Sequence, residues 1–357
     1  MKTKAYRYFT SIALLIILCS SANAENLRKL VSLSGYWKFS IGDDLSWANP
    51  AFNDSDWDQI SAPSPWENEG YKDYNGYAWY RKSFHLNNVR DNSTIYLLLG
   101  RIDDADEVYL NGKLIGKSGK FPPNYESAYS VSRKYIISPE DLNTDGENLI
   151  AVRVYDSYLE GGLVDGQLGL FYDEDTELLS LDLSGKWKFH TGNNKDWKSP
   201  EFNDQDWKLI NVPDAWENEG YEDYDGYAWY RMKFRLPETI TDKTLYLSLG
   251  KIDDIDDVYL NGEHIGNVYD LKRDYYTGWG SGDWEYAARR VYKIPEGLLV
   301  RNGINTIAVK VYDEHGAGGI YEGPIGIMPA ENYREYRDRN HSYQNFWEYI
   351  FNKFTGN

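Results

Sequence analysis

Apolar and polar positions along this chain alternate at a period of two. Ile95, Leu97 and Leu99 interleave with Tyr96 and Leu98, and Ile150, Val152 and Val154 interleave with Ala151, Arg153 and Tyr155. Successive side chains of an extended strand point to opposite faces, so this spacing of β-branched and aromatic residues predicts strands with one buried face. Asn111-Gly112, directly after Val108-Tyr109-Leu110, marks a hairpin turn, and Asn261-Gly262 repeats it. No convincing amphipathic helix interrupts the pattern. The prediction is an all-β protein built as antiparallel β-sandwiches.

The pattern also occurs twice. The stretch from Trp66 to Arg81 recurs from Trp216 to Arg231 with two changes in 16 positions, Lys72 to Glu222 and Asn75 to Asp225. The offset of 150 extends outward through Trp37 and Trp187, Trp57 and Trp207, and Ile102-Asp103-Asp104 and Ile252-Asp253-Asp254. Beyond Gly116 and Gly266 it becomes 157, because Ile150 to Asp156 aligns with Ile307 to Asp313. The second copy therefore carries a seven-residue insertion. Two tandem units are expected, residues 25–175 and 176–330, each large enough to bury a core.

Before the first unit, Lys2, Lys4 and Arg7 precede an apolar run from Ile12 to Leu18, followed by Ala22-Asn23-Ala24. This reads as a signal peptide over residues 1–24, since the run falls short of the roughly 20 residues a spanning helix needs. The mature protein is expected to be secreted or periplasmic. Lipid attachment at Cys19 is the less favoured alternative, because Leu18 stands where lipoprotein signals usually have a small residue. Cys19 is the sole cysteine, so the mature chain has no disulfide or thiolate chemistry. The formal charge of -18 makes nucleic acid and anionic lipid poor partners.

Enzyme signatures are missing from the sequence. It contains no Gly-x-Ser-x-Gly elbow and no His-Glu-x-x-His zinc pattern. His85, His190, His264 and His315 align with other residue types in the opposite copy, and His341 lies outside both copies. Carboxylates are abundant, but in a chain this acidic solvated carboxylates are the ordinary outcome.

The spaced string Pro65-Trp66-Glu67, Gly70-Tyr71, Ala78 to Arg81, Ile102 to Asp106, Val108 to Gly112, Ile150 to Asp156 and Gly161-Gly162 resembles the sugar-binding jelly-roll domain of family 2 glycoside hydrolases. Similar modules accompany β-galactosidases and sialate O-acetylesterases. The resemblance covers residues 30–172 and 179–328 and implies a galactose-binding-like jelly roll in each unit. Family 2 enzymes carry their catalytic acids on a (β/α)8 barrel, which takes roughly 250 residues, and the two copies leave no such space. A non-catalytic carbohydrate-binding protein accessory to polysaccharide degradation is the expectation. A glycoside hydrolase or its subunit, and a structural module for protein contacts, are the alternatives.

Sugars bind by laying C–H faces on aromatic rings while carboxylates take up hydroxyls. Ten of the 13 tryptophans form five repeat pairs. Trp37, Trp57, Trp79 and Arg81 are assigned to architecture, Arg81 facing a buried acid. The candidate carbohydrate residues are Trp66, Glu67, Tyr71, Asp73 and Tyr74, with Trp216, Glu217, Tyr221, Asp223 and Tyr224 in the second copy. Trp279 and Trp284, in the expanded second-copy loop, either wrap a ligand or cover a sandwich edge. Gly161-Gly162 and Gly318-Gly319 mark a second loop open to close approach of a ligand.

Asp103, Asp104 and Asp106, with Asp253, Asp254 and Asp256, raise a structural calcium in each unit; no other cofactor is expected. Asp103 and Asp104 would point to opposite faces of an extended strand, and Arg101 and Lys251 offer a metal-free balance of charge. Residues 331–357 are aromatic-rich, and from Tyr343 onward their spacing predicts one apolar helical stripe. That helix packs on its own protein or docks a protein partner.

Overall fold

The alternation at Ile150, Val152 and Val154 becomes a central strand whose inward side chains are completely buried. The computed structural model describes residues 27–86, 94–137, 141–271 and 284–340. The leader, Trp279 and the apolar series from Tyr343 lie outside the described residues.

The first unit comprises β1 (Leu27–Ser32), β2 (Gly35–Ile41), β3 (Asp58–Ala62), β4 (Gly76–His85), β5 (Ile95–Asp103), β6 (Ala105–Leu110), β7 (Lys113–Ser118), β8 (Ser132–Ile137), β9 (Glu147–Asp156) and β10 (Gly162–Asp173). The second comprises β11 (Leu181–Asp182), β12 (Gly185–Thr191), β13 (Lys208–Val212), β14 (Gly226–Arg235), β15 (Leu245–Asp253), β16 (Ile255–Leu260), β17 (Glu263–Asn267), β18 (Arg289–Lys293), β19 (Ile304–Asp313) and β20 (Gly319–Pro329). Each unit pairs a four-stranded with a six-stranded antiparallel sheet. The orders are β1-β10-β5-β8 and β3-β2-β4-β9-β6-β7, and the second unit repeats both as β11-β20-β15-β18 and β13-β12-β14-β19-β16-β17. Two tandem β-sandwiches are therefore present, as the alternation predicts. Asn111 and Gly112 close the β6–β7 hairpin with φ of 51° and 86°, the geometry that makes Asn-Gly the preferred pair there.

Leu97 and Leu99 of β5 meet Trp37, Phe39, Tyr80 and Val152 from the opposite sheet, forming one core per unit. Strand β4 uses both faces. Ala78 and Tyr80 face this core, whereas Trp79 and Arg81 point outward beneath the excursion between β2 and β3. There Trp79 lies among Trp47, Trp57 and Ala151. Arg81 is bound by Asp54 at 2.7 Å and donates to the carbonyls of Trp47, Asn49 and Phe52. Arg231 repeats this with Asp204 at 2.7 Å. The excursion thus supplies the acid that Arg81 needs, half-buried rather than buried as expected, since an unpaired charge here would be costly.

The units touch through Thr94, whose hydroxyl lies 2.6 Å from that of Ser184, and through Lys120 and Lys117 on Glu222 at 2.9 and 3.4 Å. A helix, α1, spans residues 330–340. It packs Tyr336 and Tyr333 against Leu178 and Met328, with Tyr333 stacked on Tyr246 at 4.1 Å. Among the described residues no helix is long and apolar enough to cross a membrane.

Candidate binding site at a carboxylate cluster

Strand register builds the site. β5 belongs to the four-stranded sheet, where Asp103 pairs with Gly162, and β6 belongs to the six-stranded sheet, where Ala105 pairs with Tyr155. The chain changes sheets between them, across a cis Asp103–Asp104 peptide. Asp156, the last residue of β9, ends beside this corner. Asp103, Asp104 and Asp156 each offer an oxygen within 4.8 Å of the others, and Asp253, Asp254 and Asp313 form the same cluster in the second unit. The opposite-face expectation for Asp103 and Asp104 therefore fails: strand alternation stops at the sheet change.

The third member is also not the expected one. Asp106 is fully buried against Arg133 at 2.7 Å and accepts a hydrogen bond from Tyr135 at 2.7 Å. Asp256 is held likewise by Arg290 at 2.9 Å and by Tyr292. Both are committed to ion pairs, so Asp156 and Asp313 take their place in the clusters. Nor do Arg101 and Lys251 balance the clusters, because Arg101 pairs with Asp165 and Lys251 with Glu322 at 2.7 Å.

Within the first cluster, Asp104 accepts from Ser127 Oγ at 2.5 Å and from Ser157 N and Oγ at 3.0 and 2.9 Å. Asp156 Oδ1 accepts from Tyr158 N at 2.9 Å, but its Oδ2 has no hydrogen-bond partner. Burial pushes the Asp103 carboxyl up to about 7, helped by the hydrogen bond and charge of Asp104 and the charge of Asp156. Burial works against ionisation of Asp104 too, yet hydrogen bonds from Ser127, Tyr125, Asp103 and Ser157 outweigh it and hold Asp104 at about 2. Asp156 is raised to about 6 by burial and by the charges of Asp104 and Glu67, which prevail over the amides of Tyr158 and Ser157. In the second unit, burial and Asp254 raise Asp253 to about 8, and burial and the charges of Asp254 and Asp225 raise Asp313 to about 6.

Tyrosines surround the first cluster. The Tyr125 hydroxyl lies 2.8 Å from Ser157 Oγ, and its ring packs 5.5 Å from that of Tyr155. Tyr129 follows Ser127, and Tyr158 follows Ser157; they are 57% and 71% exposed. In the second unit burial raises Tyr269 and Tyr321, helped by the charges of Glu285 and Asp254 on the first and of Glu322 and Asp253 on the second, and Tyr321 donates to the carbonyl of Tyr286 at 2.6 Å.

The repeated loop residues take different positions. Trp66 and Trp216 are completely buried and donate through Nε1 to the carbonyls of Tyr74 and Tyr224 at 3.2 Å, so their faces are closed to a sugar. Above them lie the glycine pairs. A Cβ on Gly161 would meet Trp66 at 2.2 Å and one on Gly162 would meet Tyr80 at 2.1 Å, with Gly318 and Gly319 alike over Trp216 and Tyr230. These glycines make room for the protein's own rings rather than for a ligand. Tyr71 and Tyr221 rest edge-on against Phe39 and Phe189 at 4.6 Å, the Tyr71 hydroxyl donating to Asp58. Tyr74 and Tyr224 donate to the carbonyls of Tyr77 and Tyr227 at 2.7 Å. Asp73 and Asp223 are exposed at left-handed turn positions, φ 59° and 54°.

Glu67 and Glu217 are the members of that loop that reach the cluster. Glu67 accepts from Gly161 N at 3.1 Å, and its buried Oε1 is without a partner. Glu217 accepts from Gly318 N at 3.1 Å and is pushed to about 7, chiefly by burial. Trp284 is half-buried, its carbonyl accepting from the amides of Ala287 and Ala288. Sequence reading missed Asp156, Asp313, Tyr155 and Tyr158. The available signal was Asp156, which closes the repeated strand pattern Ile150 to Asp156 and recurs as Asp313.

Comparison with known proteins sets this geometry in a family. The model of the β-galactosidase second all-β domain matches residues 42–158 and again 192–317. A β-galactosidase of Bacteroides ovatus is 29% identical over 148 residues, 38% of this chain and 16% of that protein. A putative β-glucuronidase of Formosa agariphila is 29% identical over 156 residues, 40% of this chain and 14% of that protein. The chain thus spans about a sixth or less of the length of these relatives. The structure of a β-glucuronidase from Bacteroides uniformis superposes with a TM-score of 0.36 at 16% identity, covering 81% of this chain and 28% of that one. With both units matched, the chain belongs to the family of the β-galactosidase second all-β domain, which it carries in two copies.

Proposed function

We propose that this is an exported, non-catalytic carbohydrate-binding protein that serves glycoside degradation. The observation that carries the reading is the tyrosine set at the carboxylate end of the first sandwich, where Tyr125 packs on Tyr155 and the exposed Tyr129 and Tyr158 stand two and one residues after the serines that bind Asp104. Flat rings beside directional oxygen acceptors are the chemistry a saccharide needs, apolar C–H faces on the rings and hydroxyls on the acids. The accessory domains of β-galactosidases and β-glucuronidases are the context. Two such ends on one chain allow avidity toward a polymer, since a second weak site gains from the first when both reach one strand.

The test is affinity electrophoresis of the mature protein through plant, algal and host polysaccharides. Retardation by one glycan, reduced at least about fivefold in Tyr158→Ala, supports the reading; migration unaltered by every glycan rejects it. Release of reducing sugar by the protein would instead place it among the hydrolases.

A further inference from the structure

The duplicated carboxylate clusters ask for something that the protein does not supply from its own atoms. Three acids meet at each corner, and the guanidinium behind each, Arg133 or Arg290, is spent on Asp106 or Asp256. Asp156 and Asp313 have 0% exposure. Among the described residues Asp156 Oδ2 nevertheless has no hydrogen-bond partner, and the His315 amide that faces Asp313 leaves the second oxygen of that carboxylate without one. Buried oxygens without a donor are rare in folded proteins and point to a missing ligand. A proton shared between Asp103 and Asp104 satisfies that pair and leaves the orphan oxygens of Asp156 and Asp313 as they are.

We infer that each unit binds one hard divalent cation, on Asp103, Asp104 and Asp156 in the first and on Asp253, Asp254 and Asp313 in the second. Every donor is a carboxylate oxygen, and among the described residues no imidazole or thiolate is grouped with them, which disfavours the ligand sets of zinc or copper. Calcium suits the corner better than magnesium, because it accepts several carboxylates directly in irregular geometry, whereas magnesium keeps most of its water. The ion ties the end of β9 to the point where the chain changes sheets, and in the second unit the end of β19 to the same point. The inference uses the acids of the end proposed for the sugar but does not rest on saccharide binding, since the calcium titration needs no glycan.

The experiment uses the full mature chain stripped with EDTA. Calorimetric titration with calcium chloride is expected to give two equivalents per chain, with magnesium chloride at least tenfold weaker. Terbium should show luminescence on tyrosine excitation, because Tyr125 is hydrogen-bonded within the first cluster, and calcium should displace it. Asp156→Asn and Asp313→Asn should each remove one equivalent, the double variant both, while Asp165→Asn, outside the clusters, keeps two. Zero equivalents for the wild-type protein at millimolar calcium, with no terbium signal, overturns the inference even if a variant fails to fold. Two equivalents unaffected by the paired variants overturns the site assignment, and equal binding of magnesium overturns the preference for calcium.

Discussion

The two carboxylate clusters are the same in their acids and different in what braces them. In the first unit Asp104 is held by two serines and Tyr125. In the second, Asp254 accepts from the Glu314 amide at 3.0 Å, Glu314 occupying the position of Ser157, and the segment aligned with the Ser127 region contains the insertion. The Tyr158 amide donates to Asp156, and the His315 amide stands in the same relation to Asp313. Duplication has kept the three acids, the sheet change and the buried arginine pair, and has replaced the Ser157 brace with the Glu314 amide. The carboxylates themselves are thus the shared device: burial, with the neighbouring Asp104 or Asp254, raises Asp103 and Asp253 alike.

The largest effect that tests this equivalence lies just behind the clusters. Asp106→Ala and Asp256→Ala each strand a fully buried arginine, and each should cost about 3–5 kcal/mol in urea denaturation. Costs differing by more than about 1 kcal/mol would show that the two corners are not equivalent. Gly161→Ala and Gly318→Ala come next. Each drives a methyl into an indole at 2.2 or 2.1 Å and should cost about 2–3 kcal/mol by overpacking; a near-neutral result in one unit would mean that its tryptophan plug can shift.

A pH effect separates the units more directly, because Asp173 has Ala330 as its 157-offset counterpart. Burial raises the Asp173 carboxyl to about 7, helped by Asp175 and opposed by the Asp175 amide, Lys134 and Arg289. A carboxyl raised on folding contributes stability that is fully present below about pH 4 and lost as the pH climbs through 7. Asp173→Asn keeps an acceptor for the Asp175 amide and removes the charge. Relative to wild type it should gain about 1–2 kcal/mol at pH 8 and little at pH 4 in thermal or urea melts. A gain of the same size at both pH values would contradict the assignment. The smallest effect belongs to the exposed contact between the units: Glu222→Gln should cost below about 1 kcal/mol, whereas a larger loss would mean that the two sandwiches depend on this contact to hold together.

Much of this molecule was legible in its sequence. Period-two spacing at Ile95 to Leu99 and Ile150 to Val154 specifies strands, and repetition at a fixed offset specifies two units. Arg81 was legible too, since an arginine within a buried strand demands an acid, which Asp54 provides, although the strand begins earlier, at Gly76. The cluster was half-legible. Asp103 and Asp104 stand next to each other, but their third partner depends on the register that sets Gly162 against Asp103 and Tyr155 against Ala105, and no local pattern encodes that pairing. Trp66 shows the opposite failure. A tryptophan in a tyrosine-rich loop reads as a sugar platform, and what makes it a plug is a glycine pair about 95 residues later in the chain.

The ion pairs between Glu222 and the lysines of the first unit carry a consequence for assembly. A contact made head to tail between like units, if repeated, extends without end into fibres. Here the donor turn of the first unit presents Lys72 where the second presents Glu222, and the acceptor strand of the second unit presents Asn267 where the first presents Lys117. Neither outer end of the tandem therefore carries the charges of the inner ion pair, whereas Ser34 and Thr244 keep the counterparts of its hydroxyl contact. Lys72 in place of Glu222, and Asn267 in place of Lys117, leave each outer end without a partner for the charge that the joint between the units uses.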